Sequence, residues 1–154
     1  MSQDMHAPID WSKGMDLMAG PYFVGLYQPS PETAGFWDGV VRDELRLKHC
    51  AACGRFHHPK RIACTECGST GLAFRAVSGI GEVYSFSEVH RAPAPAFVAS
   101  LPYTVGVVRL IENVSLFTRF IAEPGPIQIG APARVAFRTL EQGHRMPVFL
   151  VGGP

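Results

Sequence analysis

Four cysteines stand in two like knuckles, Cys50-Ala51-Ala52-Cys53-Gly54 and Cys64-Thr65-Glu66-Cys67-Gly68, and the chain has no others. Two residues between paired cysteines let both sulfurs point at one ion, and a glycine after each pair permits the tight turn that aims backbone N–H groups at the thiolates. A closed four-sulfur site of this kind takes tetrahedral Zn²⁺ by default. Ten residues separate the knuckles, fewer than is usual for such sites, so the expected unit is a short ribbon. His57 and His58 lie between them and could each replace a sulfur, but four cysteines already complete the set.

Catalytic chemistry finds little else to use. With the cysteines committed to metal, none is left as a thiolate nucleophile. The chain contains no Gly-x-Ser-x-Gly elbow, no His-Glu-x-x-His pair and no Gly-rich phosphate loop. Four thiolates leave no open position for water, so the metal is expected to be structural and the catalytic set empty.

The elements that must hold this cage follow from pattern. Ser30-Pro31-Glu32 reads as a helix start, and Phe36, Val40, Val41 and Leu45 recur at helical spacing, which predicts a helix over 31–46. The ribbon follows over 47–71, too short to fold without its metal. From Leu72 the texture turns to β, with strands expected over 72–78, 81–90, 103–111, 114–122, 133–140 and 146–151. Glu112-Asn113 is read as a two-residue hairpin turn that sets Gly106 against Arg119, Val107 against Thr118 and Val108 against Phe117. Five or six short strands over 72–154 suit a small barrel of the OB type, with a β-sandwich as the competing arrangement. Residues 90–102, with three prolines, form a long connection of the kind that lines binding sites. Residues 1–30 form an arm, rich in Trp11, Met15, Leu17, Met18, Tyr22, Phe23, Leu26 and Tyr27, that either packs on another subunit or folds back.

Apolar residues make up 47% of the 154 and charged residues 18%, so a core is within reach and charged surface is sparse. Residues 1–40 set Lys13 against Asp4, Asp10, Asp16, Glu32 and Asp38, while Arg42, Arg46, Lys48, Arg55, Lys60 and Arg61 cluster near the cysteines. That modest basic patch suits an anionic small molecule as readily as nucleic acid. No apolar stretch approaches a membrane span, and thiolates held for metal suit a reducing, cytoplasmic setting.

Taken together, these segments resemble the acyl-CoA-associated proteins that join a rubredoxin-like zinc ribbon to an OB-fold. The resemblance rests on Phe36-Trp37-Asp38-Gly39, Leu47 to Cys53, His58-Pro59-Lys60-Arg61, Cys64 to Ser69 and Gly81-Glu82-Val83-Tyr84-Ser85-Phe86. It continues through Val89-His90-Arg91, Pro102-Tyr103, Gly130-Ala131-Pro132 and Pro147-Val148-Phe149. It implies a mainly β chain acting as accessory subunit of a thiolase-like enzyme, such as an acyltransferase, a thiolase or a lipid-transfer-protein-type aldolase. It also implies a hetero-oligomer that helps hold or pass CoA thioesters, notably in steroid side-chain breakdown. On that expectation Lys60, Arg61, His90 and Arg91 are candidates for the phosphates of CoA, and Phe97 and Leu101 for the acyl wall. Two other readings stand beside it: a single-stranded nucleic-acid-binding module, and a redox module with iron in the same four sulfurs.

Overall fold

A computed structural model describes residues 30–93, 95–139 and 145–152, with the side chains of 95 and 96 left aside. The apolar arm read over 1–30 lies outside the described residues except for Ser30.

Helix α1 spans Ala34–Val41 and is shorter than expected at both ends. The Ser30–Thr33 segment closes a turn instead of the first helical turn, with the Thr33 N–H donating to the Ser30 carbonyl at 2.9 Å. The other end stops where Asp43 takes φ 60°, so that the Glu44 N–H returns to the Gly39 carbonyl and the Asp43 N–H to that of Val40. That pair of bonds satisfies the last carbonyls and ends the helix before Leu45. Leu45 then leads into strand β1 (Arg46–Cys50) and joins the core.

Strand β1 is the centre of a three-stranded antiparallel sheet, flanked by β2 (Phe56–His57) and β3 (Leu72–Ala76). The strand expected over 72–78 is therefore part of the ribbon's sheet, with Lys48 opposite Phe74, and not a barrel strand.

The barrel consists of β4 (Ile80–Val89), β5 (Tyr103–Leu110), β6 (Ser115–Ala122), β7 (Pro132–Thr139) and β8 (Arg145–Val151). The strands close in the order β4-β5-β6-β8-β7, with β6 and β8 the parallel pair. This is a five-stranded OB topology, and it excludes the sandwich. Val83, Val108, Leu116, Phe120 and Phe149 fill the interior, and Leu45 and Leu47 from the ribbon side pack into the same cluster.

The β5–β6 register differs by one from the expected pairing. Val107 lies opposite Phe117 and Val108 opposite Leu116. The loop has three residues, Ile111 to Asn113, with the Leu110 N–H donating to the Val114 carbonyl and Asn113 at φ 60°. A residue in the left-handed region after a tight turn is the usual three-residue solution. The shift has a packing reason: Val108 and Leu116 are both buried, whereas the two-residue turn would have set buried Val108 against Phe117, which is exposed.

Candidate metal centre and the cleft beside it

The two knuckles are built alike. Cys50 ends β1, its N–H donates to the Arg55 carbonyl, and the Gly54 N–H returns to the Cys50 carbonyl at 2.8 Å. In the second knuckle the Cys64 N–H donates to the Ser69 carbonyl and the Gly68 N–H returns to Cys64 at 3.0 Å. Gly54 and Gly68 stand at φ 76° and 72°, where a side chain would be strained.

The Sγ atoms of Cys50, Cys53, Cys64 and Cys67 lie within 4.8 Å of one another. Cys50 and Cys67 are 3.7 Å apart and Cys53 and Cys64 3.5 Å. Zn–S bonds of about 2.3 Å in a tetrahedron give an S···S edge of about 3.8 Å, so the cage has the dimensions of the ion. The four sulfurs together fit structural zinc, which cross-links the two knuckle loops.

The thiols do not ionise alike. The Cys53 N–H leads in drawing the Cys50 thiol down to about 6. At Cys53 the Arg55 N–H favours the thiolate, but removal from water and the sulfurs of Cys64, Cys50 and Cys67 outweigh it and push the thiol up to about 12. At Cys64 removal from water opposes charge, yet the N–H groups of Cys67 and Glu66 and the sulfurs of Cys53 and Cys67 carry the thiol down. At Cys67 the Ser69 N–H favours the thiolate, but the Cys64 sulfur, removal from water and the Cys50 sulfur carry the thiol up. Two sulfurs thus hold charge readily and two resist it, which a dication resolves.

His57 is not a ligand in this cage. It is buried on β2 opposite Lys48, with Nε2 3.2 Å from Cys64 Sγ. A sulfur carrying negative charge accepts, so Nε2 bears the proton and the ring orients Cys64 from outside. His58, next in sequence, is half-buried, and burial followed by the charges of Lys60 and Arg61 depresses its pKa.

A cleft of about 850 Å³ opens where the helix, the ribbon and the barrel meet. Phe36 and Trp37 of α1 form one wall, and Pro59 and Lys60 of the ribbon loop another. Arg91 and Phe97 come from the β4–β5 connection, where Pro95–Ser100 forms a short 3-10 turn. The floor is the outer face of the barrel, with Tyr103, Phe117, Arg119 and buried Val148. Phe97 packs beside Tyr103, ring centroids 6.0 Å apart, so it lies over the outer face and not inside the barrel.

Of the residues expected to meet CoA, Lys60, Arg91 and Phe97 line this cleft together. Arg61 lines a smaller one of about 220 Å³ with Arg55, Glu66 and Glu112. Its carbonyl accepts from Lys48 Nζ at 2.6 Å, and Lys48 is itself buried, so this member of the basic cluster ties the loop down inside the ribbon. His90 is exposed and pairs with Glu88 at 2.6 Å. Leu101 is half-buried at the end of the 3-10 turn and does not line the cleft. The sequence reading missed Phe36, Trp37, Tyr103, Phe117 and Arg119 as cleft residues. The available signal was the apolar outer face of the β5–β6 hairpin, once its register is known.

No helix among the described residues is long and apolar enough to cross a membrane. Two family models match the chain: the ChsH2 rubredoxin-like zinc ribbon domain over residues 37–73 and the ChsH2 C-terminal OB-fold domain over 74–138. The 3-oxo-4,17-pregnadiene-20-carboxyl-CoA hydratase alpha subunit of Mycobacterium tuberculosis is 33% identical over 70% of this chain and 34% of its own length. The benzoylsuccinyl-CoA thiolase subunit BbsA of Thauera aromatica is 30% identical over 53% of this chain and 54% of its own length. Among solved structures, a chain of an Ltp2-ChsH2(DUF35) aldolase is 31% identical with a TM-score of 0.70, covering 80% of this chain and 98% of that one. The chain spans about a third of the length of the curated hydratase subunits it matches. With both domains matched in order and a structure covered almost end to end, the chain belongs to the ChsH2 (DUF35) family of zinc-ribbon and OB-fold proteins.

Proposed function

We propose that this chain is the zinc-containing accessory subunit of a thiolase-like enzyme, an aldolase or a thiolase or acyltransferase, and that its cleft holds the acyl end of a CoA thioester. The observation that carries the reading is the cleft itself: an apolar space walled by aromatic rings, with Lys60 and Arg91 on its lining. A CoA ester asks for that combination, an apolar channel for the acyl group and cations for its phosphates. Its volume lies within the range of small-molecule sites and suits a bulky acyl group such as a steroid side chain with its rings. The relatives are subunits of a pregnadiene-carboxyl-CoA hydratase and a benzoylsuccinyl-CoA thiolase, and a chain of an Ltp2-ChsH2 aldolase. They support the same direction.

The partner supplies the nucleophile and base in this account, because the cysteines here are taken by metal. Thiolates kept for zinc also suit a reducing, cytoplasmic setting.

The test is co-expression with a thiolase-like subunit. We expect a stable hetero-oligomer whose carbon–carbon cleavage or acyl transfer needs both chains. Full turnover by this chain alone, or by the thiolase-like subunit alone at the same rate, contradicts the accessory role.

A further inference from the structure

The outward face of β5 and β6 carries an arrangement that the barrel core does not need. Phe117 is 75% exposed in the middle of a strand. Across the ladder Val107 faces it, Arg109 faces Ser115 on one side and Val105 faces Arg119 on the other. Side chains two residues apart on one strand face are about 7 Å apart, so the ring stands between two arginine rows at that spacing. Each arginine rests on a tyrosine: Arg109 lies 4.0 Å from the Tyr84 ring centroid and Arg119 4.8 Å from that of Tyr103. Such stacking holds both guanidinium planes against the sheet.

A flat exposed ring between positive charges is what a nucleotide needs, a surface for its base and donors for its phosphates. OB barrels use the outer face of their second and third strands for this purpose, which here are β5 and β6. The two arginine rows differ. Glu82 faces Arg109 across the ladder and balances it, while Phe117 and Arg119 also line the cleft. The platform is therefore continuous with the apolar cleft on its Arg119 side.

We propose that the Phe117 row seats the nucleotide end of the CoA thioester, with adenine stacked on Phe117 and the diphosphate turned toward Arg119 and the cleft. This rests on the reading that the cleft holds the acyl end. Phe117 is exposed, so its replacement leaves the fold intact.

The zinc-loaded full chain is titrated with butyryl-CoA, with S-butyryl-pantetheine, which lacks the nucleotide, and with a short oligodeoxyadenylate. Wild type is compared with Phe117→Ala, Phe117→Trp and Arg119→Gln. Phe117→Ala is expected to weaken butyryl-CoA binding about tenfold or more, within the range of one base–aromatic stack, and S-butyryl-pantetheine, which meets only the cleft edge of that ring, by a several-fold smaller factor. Phe117→Trp keeps the wild-type affinity, and Arg119→Gln again weakens the CoA ester several-fold more than S-butyryl-pantetheine. Equal affinity of wild type and Phe117→Ala for butyryl-CoA overturns the platform and leaves the cleft reading standing. Equal losses for both ligands make Phe117 an acyl wall and overturn the platform too. Tighter, salt-sensitive binding of the oligonucleotide replaces the proposed occupant. Binding of neither thioester by wild type removes the cleft reading and the platform with it.

Discussion

His57 and Lys48 show how much of the ribbon is decided by single side chains that sequence logic files under surface or spare ligand. His57 orients Cys64 through Nε2, and Lys48 reaches across the sheet to the Arg61 carbonyl from a buried position, with its ammonium 5.4 Å from the Phe74 ring centroid. Both fix the loops that deliver the four sulfurs. The sulfurs themselves set a pH dependence. Cys50 at about 6 is a thiolate in neutral solution, Cys53 at about 12 and the raised Cys67 keep their protons, and Cys64 is shifted toward the thiolate. Zinc binds only thiolates, so loading the metal-free cage near neutral pH is expected to release about two to three protons per ion, those of Cys53 and Cys67 and whatever Cys64 still holds. Below about pH 6 the number rises, because Cys50 then starts protonated and must also give up its proton, and affinity falls with it. Calorimetry in buffers of different ionisation enthalpy reads this count directly. A release of none, or of four, at neutral pH contradicts the described asymmetry.

At the scale of elements, the β5–β6 hairpin and its pairing with β4 depend on one glycine. A Cβ at Gly106 would stand 2.0 Å from the Ser85 carbonyl oxygen and 2.7 Å from Phe86 Cα, where β4 shifts register between Val83 and Ser85. Both obstacles are backbone, so the strands must part. Gly106→Ala is expected to destabilise the protein by about 3 kcal/mol, the upper end for overpacking, read from the denaturant midpoint. A loss below about 0.5 kcal/mol would mean the close approach is absent. The helix, the ribbon and the five barrel strands were legible because each carries its own local signal: apolar spacing, cysteine knuckles, β-branched runs. Their limits were less so. The helix ends at Val41 because Asp43 turns left-handed, and β3 pairs with β1 because the ribbon needs a third strand; neither choice is written in residue spacing. The hairpin register slipped by one residue for the same reason, since two-residue and three-residue turns both accept Asn113.

The molecule as a whole joins its two domains through a common core, with Leu45 and Leu47 packed among Val83, Val108 and Phe149, so the cage and the barrel are mechanically one. Asp43 at the end of the helix also pairs with Arg145 at the start of β8, tying the cover to the barrel. The metal centre was readable because its ligands are neighbours in sequence. The cleft was readable only in Lys60, Arg91 and Phe97, chosen for their chemistry. Phe36 and Trp37 look like an ordinary core-facing helix stripe, and Phe117 and Tyr103 declare their face only when the register is set. The central claim is that this cleft holds the acyl end of a CoA thioester. It is tested most directly by photolysis of the zinc-loaded chain with a CoA ester bearing a diazirine on its acyl group, followed by peptide mapping. Adducts at Phe36, Trp37, Phe97 or Tyr103 that disappear when unlabelled thioester is added are the predicted result. Labelling confined to residues outside the cleft, or labelling that competitor does not reduce, contradicts it.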